Sequence, residues 1–309
     1  MSGIPVIAGT EQGTEAWLAA RRCGIGGSEI AALMGANPYA TPLDVWLAKT
    51  GMAGDGPIDS IPAEVGHVLE PFVARLWLAE RPGWSIRKPP ALLRHPDVEV
   101  AIASLDYVAE RDDERIALEI KTTQQDWLDL PERVWWQAQW QLAVTGMDRA
   151  EVAVLVRNRE LRIFDVEGDR DAQLAGLDEA YGFWRDYVLP QRMPDVDPVR
   201  DSAAINKLWT PTFDKEAELD ADLVQRWRDL KASLAALKTD LEEAESRIKL
   251  AMAAATEGLV DGLPVLTWRP SKPRTSVDVD KLKRDGIYSA YVKQGEPVRS
   301  LRAVRRTGP

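Results

Sequence analysis

Three charged residues carry the clearest chemistry in this sequence. Asp106 stands in Ser104-Leu105-Asp106-Tyr107, and Glu119-Ile120-Lys121 follows thirteen positions later. The surrounding segments WSIRK, ALLRH, VEVAIASLDYVAE and RIALEIKTT alternate with a period near two, which predicts strands over residues 84–121. The run ERDDER, from Glu110 to Arg115, reads as a hairpin tip. On this reading Asp106 ends one strand and stands opposite Glu119 on the returning one. Glu119 and Lys121 are two residues apart and so share a face, with Ile120 directed into the core. Two close carboxylates repel unless a cation lies between them. Oxygen ligands with open water positions suit Mg²⁺, with Mn²⁺ as a substitute. A lysine beside such an ion can hold or help deprotonate an attacking water, which is an arrangement for metal-assisted phosphodiester hydrolysis. The plain alternative is a solvated hairpin whose charges face water. The apolar neighbours of Glu119 in IALEIKTT weigh against it, because a buried charge is costly without a partner.

The elements that must position these groups follow from the rest of the pattern. A helix is expected over residues 62–80, where Val65, Val68, Leu69, Phe72, Val73, Leu76 and Trp77 recur at helical spacing. Glu70 lies within that stripe, and its plain alternative is a surface glutamate; Glu64 reads as solvent-facing. Before it come a helix capped by Thr14, a glycine-rich turn at 23–27, a short helix opened by Ser28, and a helix capped by Thr41 and stopped at Gly51. Residues 54–59 read as a flexible connector. A helix over 131–146, a second hairpin and an amphipathic helix over 169–188 complete the first part. His67, three residues before Glu70, reads first as a capping or packing histidine, with a place facing the site as the alternative; His95 is isolated, and Trp135, Trp136 and Trp140 read mainly as core.

Residues 190–212 are aperiodic and mark a boundary. The expected domains are 1–200 and 201–309. The second holds a long helix or helical hairpin at 214–256, read as an oligomer or packing arm, then a tail at 257–309 of strand, basic loop and short helix, with a further strand near 298–304. Net charge is −10, yet residues 1–200 carry 20 basic against 32 acidic side chains, and the stretch from Val265 onward carries 11 against 4. An acidic body does not exclude a DNA enzyme, because the local field decides. In the tail, Arg269, Lys272 and Arg274 are candidate phosphate contacts. No apolar run reaches the ~18 residues needed to span a bilayer. MSGIPVIAGTEQGTEAW has neither a basic nor an apolar stretch, so no secretory signal is expected, and the single cysteine, Cys23, excludes an intramolecular disulfide framework. A cytoplasmic protein is expected.

Four blocks in order, RRCGIGGSEIAALMGANPYATPLDVWLAKTG, GHVLEP, SLDYV with ALEIKTT, and WWQAQWQLAVTG, resemble the YqaJ-like viral recombinase family, the lambda-exonuclease branch of the PD-(D/E)xK nucleases. The resemblance covers about residues 15–165. It implies an α/β (α+β) fold: a restriction-endonuclease-like core, with a mixed sheet flanked by helices. It implies a Mg²⁺-dependent deoxyribonuclease, a 5′-3′ exonuclease on double-stranded DNA ends in phage-type recombination. A structure-selective or nicking endonuclease, and a non-catalytic DNA-end-binding protein, are the alternatives. By resemblance Asp106, Glu119 and the Ile120 carbonyl bind metal, Lys121 is the catalytic lysine and Glu70 completes the site. Gln137 is the first glutamine of the family's helix beside the active site, with Gln139 and Gln141 less firmly matched. Arg22 and Ser28 match a phosphate-binding pair, although an ungapped count favours Arg21. The chain departs from the family's proline-aspartate, having Leu105-Asp106. The resemblance further implies a homo-oligomer, a single-strand annealing partner of RecT type, no membrane, and a phage or prophage origin.

Overall fold

A computed structural model describes residues 6–7, 14–52, 61–89, 92–206, 208–209, 216–270 and 279–290. The chain forms two compact units, residues 1–210 and 211–309. The connector at 54–59, Lys272, Arg274 and the strand expected near 298–304 lie outside the described residues.

The first unit is a mixed α/β layer structure. Its elements in chain order are β1 (Val6–Ile7), α1 (Glu15–Arg22), α2 (Gly27–Leu33), α3 (Pro42–Thr50), α4 (Ile61–Glu80), β2 (Ser85–Arg87), β3 (Leu92–Arg94), β4 (Ile102–Ala103), β5 (Tyr107–Arg111), β6 (Glu114–Thr123), α5 (Glu132–Thr145), β7 (Arg149–Val156), β8 (Glu160–Glu167), α6 (Arg170–Phe183) and α7 (Ser202–Ile205). A π-helical turn, Trp184–Val188, continues α6. The main sheet has the order β2-β5-β6-β7-β8, and a small sheet has the order β1-β3-β4. All neighbours in the main sheet are antiparallel except β6 and β7, which pair in parallel because α5 carries the chain across between them.

Both faces of the main sheet are covered. On one, Val73, Ala74 and Trp77 of α4 pack on Ile116, Leu118, Ile120, Ala153 and Leu155. On the other, Val134, Ala138 and Trp140 of α5 join Ala117, Val152 and Val154, with side chains of α2, α3 and α6 around them. Full burial of each large side chain is worth about 1.5–3 kcal/mol. The tip between β5 and β6 is a two-residue turn with Asp112 at φ 52°, as the ERDDER run predicts.

Three expectations shift. The run VEVAIASLDYVAE is two strands in two sheets, broken at Ser104–Asp106, so Asp106 precedes β5 and does not end a strand. Of the α4 stripe, Val65, Val68 and Phe72 are exposed, because the sheet covers a narrower face than the apolar pattern spans. Ser28 does not open α2: Gly26 occupies the cap position, with the Glu29 carboxylate accepting from its N–H at 2.7 Å, and Ser28 lies in the first turn.

The second unit contains α8 (Ala221–Met252), β9 (Glu257–Val260) antiparallel to β10 (Leu263–Thr267), α9 (Val279–Arg284) and a 3₁₀ turn at Tyr288–Ala290. The expected arm is one helix of 32 residues, capped by Asp220, whose carboxylate accepts from Leu223 N–H.

Candidate active site

The parallel step from β6 to β7 decides where the site forms. It places α5 across the face of β6 that carries Glu119 and Lys121, while α4 lies on the opposite face. Register puts Asp106 across from Glu119, one step beyond the Tyr107–Leu118 pair. Asp106 Oδ2 accepts the Ile120 backbone N–H at 2.8 Å. Glu119 is 3% exposed. Its Oε1 accepts from Lys121 Nζ at 2.5 Å and Gln137 Nε2 at 2.6 Å, and its Oε2 from Gln141 Nε2 at 2.7 Å.

Glu70 is buried on α4, in the helix turn ahead of the Val73–Trp77 contact with the sheet. Lys88, just after β2, reaches Glu70 Oε1 at 2.6 Å and lies 5.3 Å from the centre of the Tyr107 ring. A cavity of about 270 Å³ gathers Gly66, His67, Glu70, Asp106, Glu119, Ile120, Lys121 and Thr122. His67 is exposed in mid-helix and lines this cavity, so it neither caps nor packs.

The electrostatics follow from this crowding. Burial, then the neighbouring Glu119 charge, pushes the Asp106 carboxyl up to about 8, against the pull of Lys121 and the Ile120 N–H. Burial alone would lower Lys121, but the charges of Glu119 and Asp106 and the hydrogen bond to Glu119 hold it above its ordinary value. Burial and the Glu70 and Asp106 charges raise the Tyr107 hydroxyl to about 12. Among the described residues no group of three or more His, Cys, Asp and Glu side chains is drawn together tightly enough to hold a metal ion. The carboxylates of Glu70, Asp106 and Glu119 and the backbone at Ile120 nonetheless offer hard oxygens in the cavity, beside the imidazole of His67. That set is chemically suited to a small divalent cation.

The structure thus brings Glu70, Asp106, Glu119, Ile120, Lys121 and Gln137 together. Gln141 was matched less firmly and proves to grip Glu119 directly; the signal was its i,i+4 spacing from Gln137, which puts both on one helix face. Gln139 points the other way, donating to the Glu167 carbonyl and accepting from Asp169 N–H and Gln173.

Arg22 and Ser28 are both exposed, at the end of α1 and the start of α2. Arg21 lies over the Trp17 ring and within 4.0 Å of Glu29. Buried Lys49 ties the two helices, donating to the Arg21 carbonyl at 2.6 Å and to Glu29 at 2.7 Å. Arg269 belongs to the second unit, where it pairs with Glu257.

The YqaJ-like viral recombinase domain matches residues 16–148. Uncharacterized protein YqaJ of Bacillus subtilis (strain 168) is 30% identical over 299 residues, covering 92% of this chain and 91% of that protein. Among solved structures, the alkaline exonuclease LHK-Exo from Laribacter hongkongensis is 19% identical, over 62% of this chain and 99% of that one, with a TM-score of 0.46. A phage related exonuclease from Haemophilus somnus 129PT is 12% identical, over 58% and 100%, with a TM-score of 0.42.

Proposed function

The chain belongs to the YqaJ-like viral recombinase family, and on that premise we propose that it is a Mg²⁺-dependent deoxyribonuclease, a 5′-3′ exonuclease acting on double-stranded DNA ends. The observation that carries the reading is the convergence of Glu70, Asp106, Glu119 and Lys121 on one cavity, with Gln137 and Gln141 clamping Glu119. Asp106, Glu119, Glu70 and the Ile120 carbonyl would hold the metal, and Mn²⁺ would substitute. When bound, the metal supplies charge that stabilises the phosphodiester transition state.

The chain's own residues do the rest. The Lys121 ammonium holds the attacking water against the scissile phosphorus. Gln137 and Gln141 fix the Glu119 carboxylate, so its position does not depend on the ligand. The turn carrying Arg22 and Ser28 abuts α5, since a Cβ on Gly27 would stand 3.0 Å from Gln137 Cγ. These two residues are proposed to meet a backbone phosphate of the DNA. Arg269, Lys272 and Arg274 are proposed to extend the contact. The reaction fits phage-type recombination in the host cytoplasm, by a homo-oligomer that passes its single-stranded product to a RecT-type annealing protein.

Digestion of an end-labelled, 5′-phosphorylated linear duplex, compared with a closed circular duplex, tests this. Linear DNA should shorten from its 5′ ends with Mg²⁺, stop with EDTA, and circular DNA should stay intact. Asp106→Asn and Lys121→Ala should each lose about a thousandfold or more in rate while remaining folded. Variants as fast as the parent would remove these residues from the mechanism, and nicking of the circle would favour an endonuclease.

A further inference from the structure

The described residues of the second unit leave a long apolar seam uncovered. Along α8, Trp227, Leu234, Leu241 and Ile248 recur every seven residues, and Leu223, Leu230, Leu237 and Ala244 do the same, offset by three or four. Leu223, Leu230, Leu234, Leu237 and Leu241 are all more than half exposed. The flanks of the seam are mostly polar: Arg226, Ser233, Asp240 and Arg247 on one side, and Lys231, Lys238 and Glu245 on the other. A helix that packs on a globular body carries a broader apolar face; two narrow rows on a strict seven-residue repeat are the seam of a two-stranded coiled coil.

We propose that α8 is an antiparallel dimerisation arm that pairs with α8 of a second copy of this chain, centred near Ala232. Charge selects this arrangement. A parallel, in-register pair sets Arg226 beside the partner's Lys231 and Asp240 beside the partner's Glu245, both repulsive. An antiparallel pair with Trp227 on the partner's Ala244 sets arginine on arginine and Lys231 on the partner's Lys238. Shifted by one heptad, the antiparallel pair stacks Leu223 on the partner's Leu241, Trp227 on the partner's Leu237 and Leu230 on the partner's Leu234, and repeats these layers by symmetry. Arg226 then faces the partner's Asp240 at both ends, and the single like-charge contact is Lys231 with its own copy. Among the described residues neither Arg226 nor Asp240 has an ion-pair partner within the chain, whereas Arg247 and Lys249 pair with Glu243 and Glu245 one helical turn before them.

Sedimentation equilibrium of the full chain, in reductant because Cys23 is exposed, tests the arm. The parent should form a reversible dimer. Leu234→Glu should weaken it about a hundredfold or more by placing a charge in the seam, while Ser246→Glu on the outer face should not. Arg226→Asp and Asp240→Arg should each weaken it by about tenfold, and the double variant should recover. A parent that is monomeric throughout, or that forms a species other than a dimer, overturns the proposal. So does a dimer indifferent to Leu234→Glu, or a double variant that fails to recover. The charge pair leaves every apolar seam residue in place, so its result does not hinge on the fate of the leucine variant.

Discussion

Glu119 is the residue on which the candidate site turns. It is nearly fully buried, and a buried carboxylate persists only if hydrogen-bonded and paired. Lys121 provides the charge, and Gln137 and Gln141 the hydrogen bonds. Gln141 also donates to the Ser104 carbonyl at 3.1 Å, tying Glu119 to the segment just before Asp106. Gln141→Ala is therefore expected to slow DNA cleavage about 10- to 100-fold, through a carboxylate that is no longer held in place. Gln139→Ala should do the reverse. It removes a buried tie between α5 and the β8–α6 turn, costing about 1–2 kcal/mol of stability with the cleavage rate per folded molecule little changed. Thermal melts beside rate measurements separate the two; equal rate losses in both variants would refute the division of labour between the two helix faces.

At the scale of elements, two devices hold the layers in register. The first is the glycine-rich turn between α1 and α2. Gly24 allows Ile25 to lie alongside β4: Ile25 N–H donates to the Val100 carbonyl at 2.7 Å, and Ile102 N–H donates to the Ile25 carbonyl at 3.0 Å. A Cβ on Gly24 would stand 2.7 Å from the Val100 carbonyl oxygen and 3.0 Å from Ile102 Cγ2. Gly24→Ala must push the turn away from residues 100–102, at a cost of about 1–3 kcal/mol, since overpacking displaces backbone. The second device is Glu151 on β7. It accepts from buried Trp77 Nε1 at 2.7 Å and from Arg81 and Arg149, pinning the end of α4 to the sheet. Glu151→Ala should lower stability by about 2–3 kcal/mol, because the Trp77 N–H is left unsatisfied and Arg81 loses its carboxylate partner, while Arg149 keeps Glu114 and Asp165. Denaturant melts measure both, and a change below about 0.5 kcal/mol in either would contradict the role given to it.

Across the whole molecule the two units differ in kind. The first has two hydrophobic clusters, one on each face of its main sheet. In the second, no described residue is buried, and Leu259, Val260, Leu263, Val265, Leu266 and Trp268 of its hairpin region are all exposed along with the α8 seam. A long single helix with a two-stranded hairpin has little core of its own. Calorimetry should therefore resolve two transitions. The lower, from the second unit, should move up with protein concentration, as unfolding coupled to dissociation requires. The upper should be indifferent to concentration. A single transition independent of concentration would show that the second unit draws its stability from elsewhere.

Much of this was already written in local patterns. Period-two alternation marked β5 and β6, the ERDDER run marked the tip, and caps such as Thr14, Thr41 and Gly146 marked helix ends, because these features depend on neighbours a few positions away. The Glu119–Lys121 pair was legible for the same reason, as alternate strand residues share a face. The break at Ser104–Asp106 was not legible. Two sheets claim the segments on either side of it, and that competition is settled by packing, not by the alternation that runs straight through. The division of α5 into Gln137 and Gln141 on one face and Gln139 on the other was available from helical spacing, but which face met Glu119 was not. That was decided only when β7 came to lie parallel to β6 and carried α5 over the strand that holds the charged pair.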